Sequence, residues 1–152
     1  MASPTDIFSD EQLLRRFPTM RIDHDNKELY RGWLGRQLCI NRCDDCGHWF
    51  QPPGPMCPSC WSMSITPTAV SGRGTVHLLI RLHQGPPAEG VSYDGGYPVA
   101  TIDLEEQVGL RYTSTVVGVT REQLQIGLRV ELTWIEREGE PFPVFSPQHQ
   151  PK

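Results

Sequence analysis

Apolar positions along this chain recur in two rhythms, and the rhythm changes shortly after residue 60. Before it, the spacing is helical. Ser9-Asp10-Glu11-Gln12 has the form of a capping box, with Ser9 as N-cap and Gln12 reaching back. It predicts a helix over 10–17 that stops ahead of Pro18, because the residue before a proline disfavours helical geometry. Asp25 and Glu28 repeat the signal. Behind them Leu29, Tyr30, Trp33 and Leu34 fall at i, i+1, i+4 and i+5, one apolar stripe on a second helix expected to fray near Gly35.

After Cys60 the period shortens to that of strands. The runs 75–82, 97–104, 110–119 and 128–135 are rich in β-branched and aromatic residues. Gly72-Arg73-Gly74, the long stretch 84–96 and Glu138-Gly139 separate them as turns. Residues 120–124 read as a short capped helical turn, after which Ile126-Gly127 re-enters a strand. Four or five strands with one such turn before the last long strand suit a small Greek-key barrel of the OB type. The expected fold is therefore mainly β. It divides into an N-terminal helical segment (1–36), a cysteine-bearing segment (37–66) and a barrel with a C-terminal tail (67–152).

Composition agrees with many turns and short elements, since Gly and Pro number 14 each among 152 residues. The formal charge of −4 argues against a nucleic-acid surface spread over the protein. Val99, Ile102 and Leu104 fit a barrel core, and no stripe of alternating basic and aromatic residues marks the strands. The first twenty residues lack the apolar core of a signal peptide, and no apolar run approaches the length that spans a bilayer. The expectation is a cytoplasmic, reducing setting, where paired cysteines are more often metal ligands than disulfides.

Residues 43–60 read CDDCGHWFQPPGPMCPSC. Two Cys-x-x-Cys turns ten residues apart present Cys43, Cys46, Cys57 and Cys60 as four soft ligands for one tetrahedral ion. Gly47 suits the bend after the first pair, Pro58 stiffens the second, and Pro52-Pro53-Gly54-Pro55 turns the link between them. A thioredoxin-type dithiol would need a Cys-x-x-Cys opening a helix beside a parallel strand, and haem attachment would need His directly after the pair, where Gly47 stands. The expected cofactor is one structural zinc per chain, with iron open on the same ligands. Four thiolates close the shell, so no catalytic residue is assigned to it. Cys39, among apolar neighbours, reads as a small packed residue. His77 and His83 have no nucleophile or carboxylate beside them in the sequence.

Taken in order, CDDCG, PPGPMCPSC, AVSGRGTVHLL, YPVATIDLEE and LQIGLRVELTW resemble the domain-of-unknown-function-35 family from about residue 25 to 147. The turn Ser71-Gly72-Arg73-Gly74-Thr75 and the Ile126-Gly127 strand entry make the likeness specific. It departs at Trp61, where a glycine often follows the last cysteine, and in lacking a basic residue near Pro53-Gly54. The resemblance implies a rubredoxin-like zinc ribbon followed by an OB-fold. It also implies an accessory subunit of a thiolase-like enzyme, such as a sterol-carrier-protein-type aldolase that cleaves β-hydroxyacyl-CoA side chains in steroid degradation. Such an assembly would hold two large and two small subunits, with catalysis in the large one and acyl-CoA near the interface. Tyr30, Trp33, Trp49, Phe50 and Trp61 are the candidate partner contacts, in a segment with little core of its own. The loop 85–96 is too long for a simple hairpin and is a candidate to face the partner. The alternatives are a stand-alone acyl-CoA delivery protein and, behind it, a nucleic-acid-binding OB-fold.

Overall fold

The computed structural model describes residues 7–149. They form two compact units, one ending at Val70 and the other beginning at Ser71. The division falls after strand Ile65–Ala69, which pairs along its whole length with Cys39–Cys43.

In the first unit, helix α1 (Asp10–Arg16) carries the capping box that its sequence predicts. The Gln12 N–H donates to Ser9 Oγ, and the Ser9 N–H donates to Gln12 Oε1. Helix α2 (Lys27–Leu34) is started differently from the expected Asp25/Glu28 pair. Asp23 Oδ1 accepts from the N–H groups of Asp25 and Asn26, while Asn26 Oδ1 accepts from the Asp23 N–H. The reciprocal box therefore closes two residues earlier, and Glu28 is left to pair with Arg31. Gly32, which by propensity weakens a helix, is required by packing. A Cβ there would lie 2.7 Å from the Gln37 carbonyl oxygen and 3.1 Å from Cys39 Sγ.

Arg31 joins the two helices from inside. Its side chain is 2% exposed and donates to Asp10, to both carboxylate oxygens of Glu28 and to the Phe8 carbonyl. Beside it, Phe17, Tyr30 and Trp33 cluster with ring centroids 4.8 to 5.9 Å apart, the Trp33 pairs edge to face and Phe17 tilted against Tyr30. Strands β1 (Cys39–Cys43), β2 (Trp49–Phe50) and β3 (Ile65–Ala69) complete this unit as a three-stranded antiparallel sheet in the order β2-β1-β3.

The second unit is one five-stranded antiparallel sheet, β4 (Arg73–Leu82), β5 (Tyr97–Leu104), β6 (Arg111–Ser114), β7 (Arg129–Arg137) and β8 (Glu140–Pro147). The order is β6-β5-β4-β7-β8. It curls so that its ends meet, with Val116 just past β6 bridging Phe145 of β8. Val76, Ala100, Ile102, Leu104, Val130, Val144 and Phe145 fill the inside.

Strand β8 is absent from the sequence reading because Pro141, Pro143 and Pro147 argue against a strand. The register resolves the conflict. These prolines face Glu136, Trp134 and Val130 of β7, at every second position, so their missing N–H groups all fall on the side away from β7. The remaining residue in that phase, Phe145, sends its N–H outward to the Thr115 carbonyl and accepts from the Val117 N–H. Conversely, the expected strand 110–119 is cut to four residues. Its continuation leaves β5 to make these bonds with β8. The turn at 120–124 forms its box, with Thr120 and Gln123 exchanging side chain-to-backbone bonds, yet closes only one helical turn.

Both glycines of the Ser71–Thr75 turn answer to close approach. A Cβ on Gly72, whose φ is +84, would meet Leu132 Cβ at 2.5 Å, and one on Gly74 would meet the Asp103 carbonyl oxygen at 2.4 Å. Since backbone cannot swing aside as a side chain can, Gly74→Ala is expected to cost about 3 kcal/mol. Urea unfolding of the isolated variant checks this, and a cost below about 0.5 kcal/mol would contradict the packing described.

Candidate metal centre and interface

Cys43 ends β1, Cys46 closes the turn that follows, and Cys57 and Cys60 lie on the facing turn beyond the proline-rich tip. The two turns share one hydrogen-bond scheme. Gly47 N–H donates to the Cys43 carbonyl and Cys43 N–H to the His48 carbonyl, each at 2.9 Å. Trp61 N–H donates to the Cys57 carbonyl at 2.9 Å and Cys57 N–H to the Ser62 carbonyl at 2.8 Å. Each scheme turns the backbone into the left-handed region at the residue after the second cysteine, with φ of +76 at Gly47 and +64 at Trp61. Glycine takes that conformation freely, whereas for another residue it costs about 1–2 kcal/mol.

The four sulfurs lie within 4.8 Å of one another, with Cys43 to Cys60 at 3.5 Å and Cys46 to Cys57 at 3.6 Å. These are not disulfide lengths, and all four thiols are free. A tetrahedron of thiolates about 2.3 Å from a central ion has edges of about 3.8 Å, so the donor set fits a single metal. The sulfurs titrate unequally. The Cys46 N–H pointing at Cys43 lowers its thiol to about 7. Cys60 receives the Ser62 N–H, but the neighbouring Cys43 and Cys46 sulfurs push it up to about 12. Full deprotonation at neutral pH therefore needs a cation among them, and metal affinity falls as pH falls.

Sequence reasoning treated the two residues inside the first pair only as spacing, yet they lock the knuckles together. Asp44 accepts from the Ser64 and Thr66 hydroxyls at 2.8 and 2.7 Å, and these bonds hold its carboxyl below the ordinary range. Asp45 accepts from Ser62 Oγ, and the Asp44 N–H reaches the Ser64 carbonyl. A hint existed in the hydroxyl residues at 62, 64 and 66, whose even spacing puts them on one side of an extended segment. Cys39 stands apart, half-buried against Gly32 of α2, with burial pushing its thiol up.

The aromatic candidates separate. Trp33, Trp49 and Phe50 are buried in this chain. Phe50 packs with Cys43, Cys57 and Ile65 under the metal centre, and the Arg42 guanidinium lies 5.1 Å from the Trp49 ring centroid. Tyr30 is half-buried on α2, and Trp61 is 74% exposed. Burial of rings that have their own chain to pack against is the reason three of the five are not surface groups.

On the barrel unit, His77 sits at the bulge between Val76 and Leu78. Its Nδ1 lies 3.1 Å from Asp103 Oδ2, and Arg111 Nε lies 2.9 Å from Asp103 Oδ1. Strand pairing supplies this carboxylate from 26 residues away, out of reach of sequence inspection. The loop 85–96 is tied down rather than loose: Tyr93 donates to the Pro86 carbonyl and packs on Tyr97, and Glu89 accepts from the Glu138 N–H. No helix among the described residues is long and apolar enough to cross a membrane.

Comparison with known proteins follows this division of the chain. Residues 37–64 match the ChsH2 rubredoxin-like zinc ribbon domain, and residues 67–134 match the ChsH2 C-terminal OB-fold domain. A DUF35 domain-containing scaffold protein of Pyrococcus furiosus is 33% identical over 106 residues, covering 70% of each chain. A probable enoyl-CoA hydratase alpha subunit of Thermomonospora curvata is 35% identical over 132 residues, or 86% of this chain, but the match spans only 40% of that longer protein. Among solved structures, a chain of the Ltp2-ChsH2(DUF35) aldolase superposes with a TM-score of 0.74 at 33% identity, over 84% of this chain and 98% of that one. With the ribbon, the barrel and the four-thiol centre in that order, this chain belongs to the DUF35 family.

Proposed function

We propose that this chain is the non-catalytic accessory subunit of a thiolase-like enzyme acting on acyl-CoA thioesters. The preferred reaction is the retro-aldol cleavage of β-hydroxyacyl-CoA side chains in steroid degradation. The observation that carries this reading is the likeness to nearly the whole length of a chain from the Ltp2-ChsH2(DUF35) aldolase. The chemistry of the centre supports it. Four thiolates about one ion leave no position for a substrate or an activated water, so the ion holds the ribbon in shape. We assign zinc in preference to iron, because a site that only shapes its segment needs no redox chemistry. In this reading the chain works in the cytoplasm as one of two small subunits bound to two large ones. It stabilises the larger subunit and shapes the entrance for acyl-CoA near the interface.

Co-expression with a thiolase-like protein encoded in the same genome tests this. Light scattering of the purified material should give the mass of a two-plus-two assembly, with one zinc per small subunit by elemental analysis. Separate elution of the two proteins would overturn the reading. The Thermomonospora curvata relative favours a second reading, attachment to an enoyl-CoA hydratase. A hydratase partner would convert an enoyl-CoA to its β-hydroxy product and leave the carbon chain whole.

A further inference from the structure

The second knuckle keeps a tryptophan where its backbone asks for glycine. Trp61 holds a φ of +64, in the position that Gly47 fills in the first knuckle at +76. Nothing inside the chain compensates by burial, since the side chain is 74% exposed. Two further large apolar side chains stand out on either side of the same knuckle, Met56 at 47% and Met63 at 76% exposure.

Along the sequence the charge of this stretch is one-sided. Residues 43–72 contain Asp44 and Asp45 but neither lysine nor arginine. A divalent ion held by four thiolates adds two more negative charges to the same segment. The first knuckle shows how this ribbon satisfies an indole, with the Arg42 guanidinium 5.1 Å from the Trp49 ring centroid and its Nε donating to the Gly47 carbonyl. The second knuckle offers an indole in a more anionic setting without a cation of its own nearby in sequence. An indole face attracts a guanidinium electrostatically, and uncompensated negative charge strengthens that pull.

We propose that Trp61 is the anchor by which the ribbon docks on the larger subunit, and that the occupant is an arginine-bearing apolar surface. The partner's guanidinium stacks on the exposed indole as Arg42 does on Trp49, and Met56 and Met63 supply apolar contact beside it. The inference rests on the accessory-subunit reading given above.

The test measures the affinity of the intact, metal-loaded chain for the thiolase-like subunit by calorimetry at low and high salt, for the wild type, Trp61→Gly and Trp61→Phe. Trp61→Gly should weaken binding about 30-fold or more, the effect of losing an interface anchor. Its melting temperature should hold or rise, because glycine suits the left-handed backbone. Trp61→Phe should fall between the two, and added salt should weaken the wild type more than Trp61→Gly. Equal affinity of Trp61→Gly and wild type would overturn this inference while leaving the accessory role intact. Failure of the wild type to bind at all would overturn both.

Discussion

Cys57→Ser is expected to abolish the fold of the ribbon while sparing the barrel. Cys57 is fully buried, and its sulfur is one corner of the four-thiol centre that spans both knuckles. Around the centre itself the apolar packing is thin, Cys43, Phe50 and Cys57 with Ile65 packed against them. In small metal-dependent modules the ion supplies about 10–16 kcal/mol of apparent binding free energy, and that energy is folding energy. Serine gives a poor ligand for a thiophilic ion, so the variant should purify with much less than one metal per chain. In amide NMR spectra, signals from 37–70 should collapse towards unfolded positions while those from 71–149 stay dispersed, as expected of two separate compact units. Cys39→Ser serves as the control and should keep its metal. A Cys57→Ser protein with full metal content and an intact ribbon spectrum would show the ligand assignment to be wrong.

The second large effect is expected at Arg31, outside the centre altogether. This guanidinium is 2% exposed and reaches acceptors on both helices and on the segment before α1. Its truncation removes the guanidinium that bonds both carboxylate oxygens of Glu28, which is largely covered. Breaking a buried pair costs about 3–5 kcal/mol. Because Asp10 is well exposed and solvent can take over its charge, the lower end applies, so Arg31→Ala should cost about 3 kcal/mol. Lysine should not rescue it, since one ammonium cannot serve three acceptors held in a planar fork. For a unit of this size, the melting temperature should drop by about 10–20 °C. Acid should mimic part of the loss. The Arg31 and Lys27 bonds hold the Asp10 carboxyl below its ordinary value of 3.8. Its contribution is therefore fully present above that value and disappears as pH falls through the lowered one. Stability of the helical pair should be flat in this respect from pH 5 to 8, and Asp10→Asn should remove the acid dependence.

Local signals were the ones legible in the sequence. The α1 cap, the two cysteine turns and the glycine-rich entry to β4 each lie within a few residues of chain, and their geometry follows from the residue types alone. What escaped inspection depended on register. Proline spacing in EPFPVFSP reads as a strand breaker until the pairing puts every proline nitrogen on the side facing away from β7. Asp103 becomes the neighbour of His77 only through the β4–β5 ladder and its bulge. The interface candidates show the same limit. Tyr30, Trp33, Trp49, Phe50 and Trp61 are alike as residue types, and only packing distinguishes the buried Phe50 from the exposed Trp61. Family resemblance anticipated glycine at the position of Trp61. The structure gives the physical reason: a left-handed turn imposed by the Trp61 N–H bond to the Cys57 carbonyl.

The central claim is that this chain works through a larger subunit and performs no chemistry by itself. The most direct measurement is the rate at which a β-hydroxyacyl-CoA thioester with a steroid-derived side chain is cleaved by the thiolase-like subunit alone, by this chain alone and by the co-expressed pair. The account expects cleavage into a ketone and a shorter acyl-CoA by the pair, a much lower rate from the larger subunit alone, and none from this chain. Cleavage by this chain in isolation, or an unchanged rate when it is left out, would contradict it.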